Sequence, residues 1–208
     1  MDLQKISVKF FVASPDGVRL AEFIEIFNSW IQGSDGDYYD VADYSHMEAG
    51  PGILLISHEA HTSMDNTGGR LGLLYNRKRP LSGSNEEKLR FVFKTALDFC
   101  RRIENEPALQ GRLKFQANEI LFLINDRLLA PNTEETLQAV QPDLERLAGA
   151  LYAGARFTLT YRKDLRERFA VEIKTPAHFE ISELLDNLRQ RKGPEEEGSW
   201  VTTRSLSR

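Results

Sequence analysis

Cysteine is almost missing from this 208-residue chain: Cys100 stands alone, so no internal disulfide forms and a reducing, cytoplasmic setting is the expectation. No apolar run approaches the ~20 residues that cross a bilayer, and mean hydropathy is −0.41, so a soluble chain without a membrane partner is expected. The start, Met1-Asp2-Leu3-Gln4-Lys5, lacks the apolar core and cleavage site of a signal peptide. With 14 glycines and 8 prolines the chain is neither collagen nor a low-complexity linker, and 41% hydrophobic residues are too many for disorder throughout.

Basic residues are scarce in the first third. Residues 1–69 hold only Lys5, Lys9 and Arg19 against 11 acidic residues, a net charge of −8; residues 70–208 carry 24 basic and 20 acidic residues, a net of +4. The change is abrupt, with Arg70, Arg77, Lys78 and Arg79 inside ten residues. A chain polarised in this way can bind its own complement, so a homo-oligomer or a protein partner is expected. A pI of about 5.7 and the lack of aromatic residues interleaved with basic ones argue against nucleic acid.

Hydrophobic periodicity predicts an α+β protein. Residues 5–13 alternate as a strand; Leu20, Phe23, Ile24, Phe27, Trp30 and Ile31 mark one face of a helix. Strands are expected over 38–46, over 53–58 continuing to about Met64, and over 71–75, with turns at 48–52 and 65–69. Ser84 and Glu87 have capping-box spacing ahead of a long helix whose apolar stripe includes Cys100, which reads as a core residue. A buried strand follows at 120–124. Asn132 and Glu135 repeat the capping-box spacing before a helix to about Ala153, with Pro142 expected to kink or restart it. Residues 155–163 and 168–174 form a hairpin with one solvated face, and a last helix runs to Gly193.

The resulting architecture is two strand–helix–strands modules in a mixed, largely antiparallel sheet with helices on one face. The modules are 1–80 (βαβββ-like) and 112–192 (βαββ-like with a terminal helix), connected by a helix at 84–106. A disordered tail is expected over 193–208, where Trp200 is a candidate anchor. The order strand, helix, three strands resembles the βαβββ modules of the vicinal oxygen chelate (glyoxalase-like) fold. That family places metal-binding His or Glu on the first and last strands of each module; the strand 6–13 has neither, so none of its functional residues is carried over.

Chemistry concentrates in residues 40–79. His46, His58 and His61 lie within 16 residues, among Asp40, Asp43, Ser45, Glu59 and Asp65. Imidazole with carboxylate suits zinc, iron or manganese, or acid–base work. His58-Glu59-Ala60-His61 falls one residue short of the i, i+4 zincin spacing, so His46 with His58, helped by Asp43 or Glu59, is the more feasible pair. A second candidate is the turn Gly68-Gly69-Arg70, whose backbone N–H groups and guanidinium suit an anion. Hydrogen-bonded sheet histidines and an ordinary hairpin turn explain the same residues without a ligand. The favoured expectation is a non-catalytic ligand-binding or protein-interaction protein that self-associates. One alternative is a small metal-assisted hydrolase or acid–base enzyme using the patch 40–65, with Arg70 as anion clamp. Another is a phosphate or nucleotide sensor using Gly68-Gly69-Arg70.

Overall fold

The alternating N-terminal segment forms β1 (Ile6–Val12), and it lies inside the sheet rather than at an edge. The structure is a computed structural model and describes residues 1–164 and 166–190. After β1 come α1 (Glu22–Gln32), β2 (Tyr38–Tyr44), β3 (Gly52–Ser57), β4 (Ala60–Asp65), β5 (Gly72–Arg77) and α2 (Asn85–Glu104). The second half adds β6 (Phe115–Ile124), α3 (Glu134–Leu151), β7 (Thr158–Tyr161), β8 (Phe169–Lys174) and α4 (Ile181–Gln190). Both halves enter one eight-stranded sheet in the order β2-β3-β4-β5-β1-β6-β8-β7, and β1 bonds to a strand from each half. Every pairing is antiparallel, so the expected mixed sheet is in fact uniform in its alternation.

Alternation sorts the side chains. Ile6, Val8, Phe10, Leu55, Leu73, Phe122 and Val171 point to one face and are buried under the helices. There α1 lies on β2 and β3, α2 on β1 and β5, and α4 on β6, while α3 packs on α2 and α4. The helix stripes read from the sequence supply the other half of this core: Phe23, Phe27 and Trp30 from α1, and Val92, Phe93, Ala96 and Cys100 from α2. The capping box at Ser84 and Glu87 forms as expected.

Two sequence expectations shift. The apolar run from 53 to 64 is a hairpin, because Ser57 Oγ bonds to both the N–H and the carbonyl of Ala60 and turns the chain at His58-Glu59. The first half therefore has four strands after α1, one more than expected. The cap of α3 is Thr133, whose hydroxyl accepts from Thr136 N, while the Asn132 amide instead bonds to the carbonyls of Arg162 and Asp164. Pro142 lies inside α3, which continues through it without a second start. The expected tail at 193–208 and Trp200 lie outside the described residues.

Candidate functional site

Among the described residues no helix packs on the opposite face of the sheet, and its side chains form rows across the strands. One row runs Asp40, Ile56, His61, Asn76, Ser7, Leu123, Ala170, and ends at Arg162, whose N–H bonds to Ala170 O. The next runs Ala42, Leu54, Ser63, Leu74, Lys9, Leu121, Glu172 and Thr160. In the middle, Phe11, Leu121, Leu123 and Ala170 make a second, small apolar cluster with Leu74 packed beside it.

A cleft of about 490 Å³ opens over this cluster. Leu74, Leu121, Leu123 and Ala170 form its apolar floor, the turn at Thr67-Gly68 one wall, and residues of the β7–β8 connection, including Arg162 and Arg168, the other. At its base lies an ion pair that the sequence did not single out. Lys9 Nζ donates to Asp65 Oδ1 at 2.6 Å, with the two side chains only 4% and 3% exposed. Asp65 also accepts from Thr67 N at 3.1 Å and Thr67 Oγ1 at 2.8 Å, and Lys9 Nζ reaches Thr67 O at 3.3 Å. The pair thus holds the turn in place. Burial lowers the Lys9 pKa, opposed by the adjacent Asp65 charge. An ammonium has three donors, and protein acceptors among the described residues take two.

Around the cleft, charges are paired in a chain. Arg70 forks onto Glu119 at 2.7 and 3.0 Å; Lys174 joins Glu119 to Glu172 at 3.3 and 2.9 Å; Arg162 bonds to Glu172. Hydrogen bonds from Arg70 hold the Glu119 carboxyl below its usual range. Arg168, which also lines the cleft, forms no ion pair among the described residues.

The residues singled out by sequence are placed differently. The β2–β3 hairpin forms, but its register sets Tyr44 opposite Gly52 and Tyr38 opposite Ser57. His46 in the connecting turn and His58 beyond the far end of β3 are separated by the length of that strand, about 20 Å at ~3.3 Å per residue. A hairpin pairs the residues nearest its turn, so these two imidazoles do not converge. Asp43 stays with the His46 end, its carboxylate accepting from Ser45 N at 2.8 Å. Glu59 shares the exposed β3–β4 turn with His58 and pairs with Arg77. His61 is half-buried on the open face beside Asn76, and burial lowers its pKa. Among the described residues no group of three or more His, Cys, Asp or Glu side chains is arranged to hold a metal ion. Gly68 and Gly69 take the left-handed conformations expected of a tight turn, with φ of 75° and 69°. The turn reaches the cleft, while the Arg70 guanidinium lies 3.7 Å over the Phe11 ring and is bound to Glu119.

The sequence signal for Lys9 was its place in the alternation of 5–13, which put it on the polar side of a strand, where a lysine reads as solvated. Its burial depends on neighbours supplied by β4, β5 and β6. Comparison of the chain with protein-family models, curated proteins and solved structures found no match. No helix among the described residues is long and apolar enough to cross a membrane.

Proposed function

We propose that this protein is a non-catalytic binding protein that holds a small molecule with an apolar body and a carboxylate or phosphate group in the open-face cleft. The observation that carries this reading is the buried Lys9–Asp65 pair at the base of a 490 Å³ cleft, with one ammonium donor left over. The volume falls in the range of small-molecule sites, roughly 300 to 1,000 Å³, and an apolar lining with a few convergent polar groups is their usual composition. Leu121, Leu123 and Ala170 suit the apolar body; Lys9 and Arg168, which has no ion-pair partner among the described residues, suit the anion. Gly68 lets the backbone of the wall come close to a ligand without a side chain in between.

The test is a thermal-shift and calorimetric screen against small carboxylates and phosphates, nucleotides among them, with native mass spectrometry of the freshly purified protein. A ligand is expected to raise Tm, and Arg168→Ala to weaken it about tenfold, the loss of one charge-assisted bond. Ala170→Trp fills the cleft from its floor and is expected to abolish binding while the fold persists. Failure of every probe to bind, together with a native mass that carries nothing beyond the chain, sinks the reading.

A further inference from the structure

The two edges of the sheet bear a relationship that the cleft does not use. Eight strands alternate in direction, so the edge strands β2 and β7 run opposite to one another. A second copy placed beside the first, helices on the same side, therefore brings its β2 antiparallel to the first copy's β7. The rows also match. Asp40 and Arg162 are the two ends of one open-face row, Ala42 and Thr160 the ends of the next. Translation without slippage sets Asp40 against Arg162 and Ala42 against Thr160, and the pleat runs on unbroken.

Charge follows the same geometry. No lysine or arginine occurs between Arg19 and Arg70, and Asp35, Asp37, Asp40 and Asp43 lie on or beside β2. The opposite edge is bracketed by Arg156 before β7 and by Arg162 and Lys163 after it. Arg162 and Lys163 are shared with Glu172 and Glu134, whereas Arg156 has no ion-pair partner among the described residues. Pairing β2 with another β2 would set acids against acids, and β7 with β7 would set bases against bases. Only the unlike edges complement each other.

We propose that copies of this chain associate head to tail, β2 of one adding to β7 of the next. This does not rest on a ligand in the cleft, although Arg162 borders both. The junction is heterologous, so it does not close into a symmetric dimer; each addition leaves one acidic and one basic edge open. β7 has only four residues, which keeps the contact below the ~1,200 Å² of a stable interface and makes association weak and salt-sensitive.

Cysteine cross-linking tests the register. The full chain carrying Ala42→Cys with Thr160→Cys, oxidised at low salt and ~100 µM, a concentration suited to a small contact, is expected to give a ladder of dimers, trimers and longer species. An equal mixture of the two single variants is expected to stop at the cross-linked dimer, and each single variant alone to form no cross-link. Asp40→Lys in the double-cysteine chain, or 0.5 M salt, is expected to cut the ladder about fivefold or more, as for an electrostatically selected contact. A cross-linked dimer from Ala42→Cys alone would overturn the proposal in favour of like-edge pairing. So would a double variant that is folded by circular dichroism and yields only monomer.

Discussion

Lys9 and Asp65 stand two strands apart, on β1 and β4, and meet over Gly72 of the intervening β5. Gly72 is the register partner of both Asp65 and Phe11. A Cβ at this position would lie 3.0 Å from Lys9 Cε and 2.4 Å from Phe10 O. Only a strand position without a side chain lets the lysine stem cross to the carboxylate. The base of the cleft is therefore fixed by Lys9 together with Asp65 and Gly72, which lie on two strands far from it in the sequence. Taking two charges out of water costs more than an exposed pair would regain, so the arrangement is a poor device for stability alone.

Breaking that pair from one side should be severe. Lys9→Met leaves the Asp65 carboxylate buried and is expected to cost about 3 kcal/mol or more. Asp65→Asn added to it removes the uncompensated charge and keeps an acceptor for Thr67 N, so the double variant should be more stable than Lys9→Met. Urea unfolding of the parent, both single variants and the double variant checks this. A double variant as unstable as the sum of the singles would show that the two residues are not coupled.

Gly72→Ala should destabilise by about 2 kcal/mol or more, since the new methyl meets the Phe10 carbonyl, a backbone atom that yields only if β1 and β5 separate. The same substitution should also expose Lys9, and acetylation mapped by mass spectrometry provides a second measurement. In the parent chain Lys9 is expected to be among the last lysines modified.

The elements were readable in sequence because their signals are local: strict alternation in β1, the Ser84/Glu87 box before α2, and the apolar stripe with Cys100 on it. The division of 53–64 was hidden because its turn, His58-Glu59, contains neither Gly nor Pro and is made by the Ser57 hydroxyl. The site was hidden for a different reason. Lys9, Asp65, Gly72 and Arg168 are brought together by the strand order β4-β5-β1-β6-β8, which no local pattern encodes. The histidines, by contrast, were conspicuous in sequence and are separated by a register that a hairpin imposes. His46 and His58 are exposed, and their side chains form no hydrogen bond to a described residue. His46→Ala/His58→Ala should leave stability within about 0.5 kcal/mol, measured by urea unfolding.

Acid stability should depend on Glu119. The Arg70 hydrogen bonds, and then Lys174, hold its folded-state pKa below the usual 4.5. A depressed carboxyl contributes stability in full above the unfolded value and loses it as pH falls through the folded one. Glu119→Gln should therefore lower stability near pH 6 by about 1 kcal/mol, a modest figure for a pair with one exposed partner. It should also flatten the decline below pH 4.5. Urea midpoints at several pH values between 6 and 3 test both. Parallel pH profiles for the variant and the parent would remove Glu119 as the cause.

Cys100 provides a probe of how the helix layer opens. It is fully buried on α2, and burial pushes its thiol pKa well up, so neither the access nor the thiolate that a disulfide reagent needs is present in the folded chain. Labelling should then proceed only through opening of the layer between α2 and the sheet, where Val92, Phe93 and Ala96 are buried too. If that opening is global, the labelling rate will fall with the same free energy that urea unfolding reports, and it will rise with denaturant on the same slope. Fast labelling without denaturant would mean that α2 opens alone. Cys100→Ser replaces a thiol at home in an apolar site with a hydroxyl that needs a partner there, and should cost about 1 to 3 kcal/mol by the same urea measurement.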